Sequence, residues 1–285
     1  MATDPTAGGT PSKSTQQTVD SILAPLARSS ISDVSRAVDE AVEALSSLAR
    51  GVSGNQALES LGWHLSCSVL DTAGKLPPER QDALIEFLRR LTETRVTDAN
   101  GAQITWNNHP LWEVIPAWGY TTRDWLNFDF DDPRATPEEV SERLNVMSFL
   151  AKLTQLYVDG ASPQLNFGLF ALWTLRDALE DGGADGNYSA GAVTMAATWI
   201  LFAGKALRDL SVRGEQMSNK SGKPGQRFGD RAWLGFSEER WQVWKNELEV
   251  ALSKLAPHET IENAVRFMQK LENTCQGTPD APQVR

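Results

Sequence analysis

The stretch LGFSEERWQVWKNELEVAL, residues 234–252, shows what kind of fold this chain forms. Ser237 is a good helix N-cap, and the two glutamates after it lie in the first turn, where the helix dipole favours anions. Phe236 and Trp241 have the spacing of a hydrophobic staple, which fixes how a chain enters a helix. Apolar residues then continue down the face that carries Trp241 and Trp244, so the stretch predicts an amphipathic helix.

The two indoles of this helix allow two interpretations. Burying a Trp side chain contributes about 4–6 kcal/mol as an upper bound, so folding alone explains both rings. The alternative is that they line a pocket. The same two interpretations, core packing or a pocket lining, apply to all 10 Trp of the 285-residue chain.

Other segments show the same helical periodicity. Thr136 and Glu139 have the spacing of a capping box, with Pro137 at the first helical position. The apolar run GAVTMAATWILFAG, residues 191–204, is shorter than the ~20 residues of a membrane span, and therefore predicts a buried helix. The sequence predicts an all-α protein, an irregular bundle of about eight or nine helices joined by an aromatic-rich connecting segment.

Residues 31–52 predict a helix with a narrow apolar seam, because apolar side chains recur in steps of three and four. Such a seam docks on its own domain or on a second copy of the chain. The residues expected to mediate self-association are Ile31, Val34, Val38, Leu45 and Leu48. The pattern divides the chain into a disordered tail (1–15), N-terminal helices (16–55), a helical domain (56–275) and a second disordered tail (276–285).

The aromatic segment, residues 105–137, is too long for a structureless loop inside a compact domain, and its rings are expected to insert into the bundle. A short helix ended by Pro116 and Gly119 is expected within it. Aromatic and ionisable side chains together favour a binding site for an apolar molecule or a protein partner. The candidate binding residues are Trp106, His109, Trp112, Trp118, Tyr120, Arg123, Asp124 and Trp125.

Composition excludes several classes of protein. The formal net charge of −10 argues against nucleic-acid binding, which needs clustered Lys and Arg. The absence of a secretory signal and the presence of only two cysteines predict a cytoplasmic protein, with the nucleus also compatible and no membrane partner. A local basic segment, residues 213–231, is typical of a mobile surface loop, and its alternative role is docking of an acidic partner.

Motifs for chemistry are missing from the sequence. The three histidines lack metal-ligand spacing, and the acidic run at residues 129–132 is typical of a solvated turn, so no metal site is predicted. No phosphate-binding, dinucleotide-binding or nucleophile-elbow motif is present, and no cofactor is expected. The catalytic residues of any activity stay unknown.

Five aromatic-rich stretches follow one another in the order LWEVIPAWGYTTRDWLNF (111–128), LNVMSFLAKLT (144–154), FALWTLRDALE (170–180), AATWILFAGKAL (196–207) and GFSEERWQVWKNEL (235–248). They resemble the fungal helical proteins catalogued as domain of unknown function 3632, over about residues 61–255. The resemblance implies an intracellular protein of filamentous fungi, several members of which lie in or near secondary-metabolite gene clusters. It supplies no catalytic residues.

Two hypotheses on function follow. The first is a non-catalytic accessory of fungal secondary metabolism that binds a protein partner or an apolar small molecule. The alternative is an enzyme of cyclase, isomerase or hydrolase type, acting on an apolar polyketide- or terpenoid-like substrate in an aromatic-lined pocket. His109, Tyr120, Arg123 and Asp124 would then be its acid–base groups.

Overall fold

The computed structural model describes residues 13–28, 33–183 and 186–275. Within these ranges the chain forms ten α-helices and two very short strands, which confirms the predicted all-α class. The count is one more than the upper figure of the expected eight or nine, and α1 includes the last three residues of the predicted N-terminal tail. The helices are α1 (Lys13–Arg28), α2 (Val34–Arg50), α3 (Asn55–Lys75), α4 (Asp82–Glu93), α5 (Trp118–Leu126), α6 (Pro137–Val158), α7 (Gly168–Leu175), α8 (Ala190–Arg213), α9 (Glu238–Lys254) and α10 (Glu259–Cys275).

The chain divides into two compact units between Phe128 and Asp129. Unit 1 contains α1 to α5, and unit 2 contains α6 to α10. The boundary predicted near residue 55 falls inside unit 1, between α2 and α3. The first twelve residues of the predicted N-terminal tail and all of the predicted tail 276–285 lie outside the described residues.

In unit 1, α2 packs its apolar seam against α1 and α4. Val38 and Leu45 are fully buried there, while Val34 and Leu48 are half-buried. Ile31, the first residue of the predicted seam, lies outside the described residues. The seam is therefore used within its own unit, and self-association through it stays a prediction.

A polar network joins α1 to α3. Ser68 Oγ donates to Asp20 Oδ1 at 2.6 Å, and His64 Nδ1 lies 2.7 Å from Gln16 Oε1. Burial lowers the pKa of the His64 imidazole, which favours the neutral ring. His64 is thus a packed histidine that fixes the register of two helices.

The aromatic segment opens with a two-stranded hairpin, in which Thr105–Trp106 (β1) pairs antiparallel with His109–Pro110 (β2). The two residues between the strands, Asn107 and Asn108, have φ values of 50° and 68°. These values fit a type I′ turn, and asparagine tolerates the left-handed region better than most residues. Asn55 Nδ2 donates to the Asn107 side-chain oxygen at 2.8 Å and ties this turn to α3.

The short helix in the aromatic segment begins where the sequence predicted it to end. Ala117, with φ of 67°, stands at the N-cap of α5, so the helix follows Pro116 instead of preceding it. Trp112 and Trp118 are buried, as expected for rings inserted into a bundle. Trp112 also has a left-handed backbone, with φ of 73°, and burial of its large ring offsets this strain.

In unit 2, α8 is the central helix and packs against α6, α9 and α10. Both hydrogen bonds of the predicted capping box are present at the start of α6, between Thr136 and Glu139. α8 is long and apolar enough to pass for a membrane span, but 61% of its most apolar window is buried inside the protein. It is the buried helix that the run at residues 191–204 predicted.

The helix predicted from residues 234–252 is α9, and Ser237 caps it by accepting from Arg240 N at 3.1 Å. Trp241 and Trp244 are fully buried, so both indoles belong to the core. The Phe236 ring lies edge-on to Trp244, with centroids 5.9 Å apart. Phe236, the residue before the N-cap, thus fixes how the chain enters α9 by packing against Trp244.

The contact between α3 and Pro116 generates a stability prediction. A Cβ added to Gly62 would lie 2.5 Å from the Pro116 carbonyl oxygen, so Gly62→Ala forces two backbones apart. We expect the free energy of unfolding to fall by about 1–3 kcal/mol, the usual cost of overpacking. Gly119→Ala is the matched control: no atom lies within 4 Å of its new Cβ, and it should stabilise α5 by about 0.5–1 kcal/mol. Urea unfolding of both variants measures this difference, and equal stabilities would contradict it.

Candidate functional site

The structure places the eight candidate binding residues in different environments. Trp112 and Trp118 are buried, Trp106 and Trp125 are half-buried, and the four polar candidates are exposed. Tyr120 is 44% exposed, and its hydroxyl reaches Glu59 Oε1 at 3.5 Å. Three open cavities of about 260, 410 and 440 Å³ indent the described residues, and none of the eight lines any of these three. The aromatic binding site stays a prediction.

A different feature, in unit 2, has the character of a site. α7 continues directly into a π-helix, Arg176–Asp181. Segments of π-helix are rare and occur frequently at functional sites. This one ends at Gly182, whose N–H donates to the Asp177 carbonyl at 3.1 Å. A Cβ on Gly182 would lie 2.3 Å from the Ala178 carbonyl oxygen, so the ending requires glycine.

The π-helix carries one half of a buried ion pair. Glu180 and Arg240 are both 0% exposed, and Arg240 Nε donates to Glu180 Oε1 at 2.6 Å while Nη2 donates to Oε2 at 3.0 Å. Trp244 Nε1 and Gly225 N also donate to the carboxylate, at 2.6 and 2.8 Å. The guanidinium lies 5.4 and 5.5 Å from the ring centroids of Trp233 and Trp244. The buried carboxylate is therefore fully hydrogen-bonded.

The remaining donors of Arg240 organise the segment 214–237, called here the arginine loop. Nη1 donates to the carbonyls of Gly222 and Gly235, both at 2.8 Å, and Nη2 donates to that of Lys223 at 3.1 Å. With the two bonds to Glu180, all five guanidinium N–H groups have acceptors. The sequence predicted a mobile surface loop over most of this segment, but its main chain is held at three carbonyls by one buried side chain.

An open cleft of about 410 Å³ lies between the arginine loop and the π-helix. It is lined by Arg176, Asp181, Lys223, Pro224, Gly225, Gln226 and Gly229. A Cβ on Gly225 would lie 2.6 Å from Glu180 Cβ, so the loop backs directly onto the π-helix at this point. Gln226 N donates to Asp181 Oδ1 at 2.5 Å, which closes the junction. We call this the π-helix cleft.

A second cluster of hydrogen bonds supports the loop beside the cleft. The Arg227 guanidinium contacts Glu247 through two hydrogen bonds, of 2.7 and 3.0 Å, and donates to the Gly182 carbonyl at 2.7 Å. Tyr188 Oη donates to Glu247 Oε2 at 2.6 Å, and burial together with that carboxylate raises the pKa of Tyr188 to about 12. Tyr188 therefore stays protonated at neutral pH as a fixed hydrogen-bond donor.

The acidic run at residues 129–132 forms a turn, as expected. Asp129 Oδ1 accepts from Asp131 N at 2.9 Å, Asp131 pairs with Ser189 Oγ, and Asp132 pairs with Arg134 at 2.7 Å. Across the described ranges, no group of three or more His, Cys, Asp or Glu side chains is placed to hold a metal ion.

Sequence reasoning missed Glu180 and Arg240. A signal was present at Arg240, because it lies four residues before Trp244 and so shares the buried face of α9. A charged residue on such a face requires a buried partner. The sequence could not identify that partner, because Glu180 lies 60 positions away and its burial depends on the π-helix.

The ion pair generates a stability prediction. Arg240→Met should lower the free energy of unfolding by about 3–5 kcal/mol, because it leaves the Glu180 carboxylate buried without its counter-charge. Arg231→Met is the control: its guanidinium pairs with Glu239 on the exposed side of the loop, where ion pairs contribute about 0–1 kcal/mol. Urea denaturation followed by circular dichroism measures both. A loss for Arg240→Met no larger than that of the control would show that the buried pair is dispensable.

A comparison with known protein families identifies a family for this chain. The model of the family described as "Protein of unknown function (DUF3632)" matches residues 67–248. No curated protein and no solved structure matches the chain. The matched range covers more than half of the sequence and includes the π-helix, the arginine loop and Arg240. The chain therefore belongs to the DUF3632 family.

Proposed function

We propose that this protein is a non-catalytic binding protein that holds a small molecule in the π-helix cleft. The observation that carries the proposal is the construction of the cleft walls. One wall is the π-helix, and the other is a loop whose carbonyls are fixed by the saturated guanidinium of Arg240. Binding sites for small molecules are typically preformed concavities of about 300–1,000 Å³, and the cleft volume of about 410 Å³ falls in this range.

The non-catalytic part of the proposal rests on how the ionisable groups are used. Glu180 and Arg240 are fully hydrogen-bonded to each other and to their neighbours, and Tyr188 is held protonated by Glu247. These groups support the cleft walls and do not line the cleft. The polar candidates of the enzyme alternative, among them His109 and Asp124, are exposed on unit 1, which gives that alternative no support.

Blocking the cleft tests this proposal. Gln226→Trp places a large ring in the cleft and keeps the backbone bond from residue 226 to Asp181. Wild-type protein incubated with a small-molecule extract of its host, then recovered by native size exclusion, should retain a compound that mass spectrometry detects. The Gln226→Trp variant should lose that compound, because the added ring occupies the volume of the ligand.

The control for this experiment is Gln56→Trp, which adds the same ring at an exposed position of unit 1. It should retain the compound at the wild-type level. Retention by Gln226→Trp would place the binding site elsewhere, and absence of any retained compound from the wild type would contradict a binding role in this cleft. Conversion of the compound by the wild-type protein would contradict the non-catalytic role.

We extend the proposal to an accessory role in fungal secondary metabolism, inside the cell, as the family resemblance implies. Deletion of the gene in its host should then lower the amount of a secondary metabolite without accumulation of an intermediate, because a binding accessory carries out no chemical step. Comparative metabolite profiling measures this, with restoration by the wild-type gene as the control. An accumulated intermediate would favour the enzyme alternative, and an unchanged profile would contradict the metabolic role.

A further inference from the structure

Two cationic side chains, Arg176 and Lys223, line the π-helix cleft. One carboxylate, Asp181, also lines it, and a second, Asp177, pairs with Arg176 at 3.1 Å. The chain as a whole has a formal net charge of −10. Cationic side chains with unused hydrogen-bond donors in a concave site attract anions, and this attraction is strongest where the site is partly shielded from water.

The carboxylate that lines the cleft, Asp181, already accepts a hydrogen bond from the protein. Asp181 Oδ1 accepts the hydrogen bond from Gln226 N at 2.5 Å, and Oδ2 lies 3.9 Å from Arg176 Nε, beyond hydrogen-bond distance. The negative charge of Asp181 thus holds the arginine loop against the π-helix. Because Asp177 also pairs with Arg176, the two carboxylates equal the two cations in number, and an anion would be attracted by the unused N–H donors of the cations.

The two cations, in contrast, have donors to spare. Arg176 Nε donates to Asp177 Oδ1 at 3.1 Å, and no hydrogen bond joins Nη1 or Nη2 of Arg176 to another described residue. Its side chain is only 17% exposed, so the guanidinium is held close to the cleft wall. The Lys223 ammonium has no carboxylate partner among residues 13–28, 33–183 and 186–275. Its backbone carbonyl is fixed by Arg240, so the exposed side chain starts from a fixed point in the cleft lining.

We infer that the π-helix cleft binds a small organic oxyanion, a carboxylate or a phosphate ester, through Arg176 and Lys223. The terminal edge of a guanidinium matches the two oxygens of such a group, and a lysine adds a point charge. This inference rests on the proposed function, because it names the class of ligand that the cleft would take. It also gives a role to the basic segment 213–231, whose alternative interpretation from sequence was an acidic partner.

Three related probes test the charge requirement: benzoate, phenyl phosphate and the neutral benzamide. Each is titrated into the ¹⁵N-labelled full chain, and the amide signals of Gly225 and Gly229, which line the cleft, are followed by NMR. Benzoate or phenyl phosphate should shift both signals, with phenyl phosphate the stronger if the natural ligand is a phosphate ester. Benzamide should leave them unchanged, since it has the shape of benzoate without its charge.

Variants assign the shifts to the two cations. Lys223→Gln and Arg176→Gln should each weaken binding of the anionic probe by about tenfold, in line with the strength of charge-assisted hydrogen bonds. Lys220→Gln, an exposed lysine of the same loop outside the cleft, is the matched control and should bind as the wild type does. Arg176→Lys keeps the charge, and should retain part of the affinity if Arg176→Gln folds poorly.

The outcomes separate this inference from the proposed function. Equal shifts by benzamide and benzoate would overturn the anion requirement and leave the cleft as a binding site. No shift by either anion, up to its solubility limit, would overturn the inference, while the retention experiment with Gln226→Trp still decides on the cleft. Equal weakening by Lys220→Gln and Lys223→Gln would show general electrostatic attraction instead of a site.

Discussion

A carboxylate and a guanidinium that are both removed from water lose most of their hydration energy. Only direct contact and a complete set of hydrogen bonds offset that loss. Glu180 and Arg240 meet this condition, because every donor and both carboxylate oxygens have partners. The pair is weak evidence for high stability in itself, since a well-packed apolar pair often stabilises as much. The pair provides a fixed geometry, because Arg240 joins two segments, the π-helix and the arginine loop.

That geometry explains why the local backbone is unusual. The π-helix inserts an extra residue relative to a regular helix and so changes which side chains face inward at the end of α7. Glu180 reaches Arg240 from this position, and Asp181, the next residue, accepts a hydrogen bond from Gln226 N of the arginine loop. Gly182 and Gly225 are needed where the chain approaches itself too closely for a Cβ. The cleft is the open space that remains between the π-helix and the arginine loop.

The sequence predicted those parts of the fold that depend on local patterns. The capping box at Thr136, the Ser237 cap and the burial of Trp241 and Trp244 all follow from spacing along a helix, and all are confirmed. The hairpin at Asn107 was missed because its strands are two residues long and its turn has no glycine. The start of α5 was misplaced because a left-handed Ala117 has no signature in sequence.

The candidate cleft was beyond prediction for a related reason: its residues come from a π-helix and a loop 45 positions apart. The basic composition of residues 213–231 was visible, but composition alone favours a mobile loop, and only the buried guanidinium reveals the order. The aromatic residues dominate the sequence pattern of these segments. Yet in a helical core a Trp ring is ordinary, whereas a charged side chain with no access to water is costly unless paired.

The mutual dependence of Glu180 and Arg240 also constrains how this family can diverge. Loss of either charge leaves the other buried without a counter-charge, which destabilises the fold. Sequences with a single replacement should therefore be selected against, and the two positions should change only together. Of the three loop residues that meet Arg240 through their carbonyls, Gly222 and Gly235 leave no room for a Cβ, whereas Lys223 faces no such restriction on side-chain identity. Side chains such as Lys223 and Gln226 in the lining of the cleft can therefore change while the anchoring pair beneath stays unaltered.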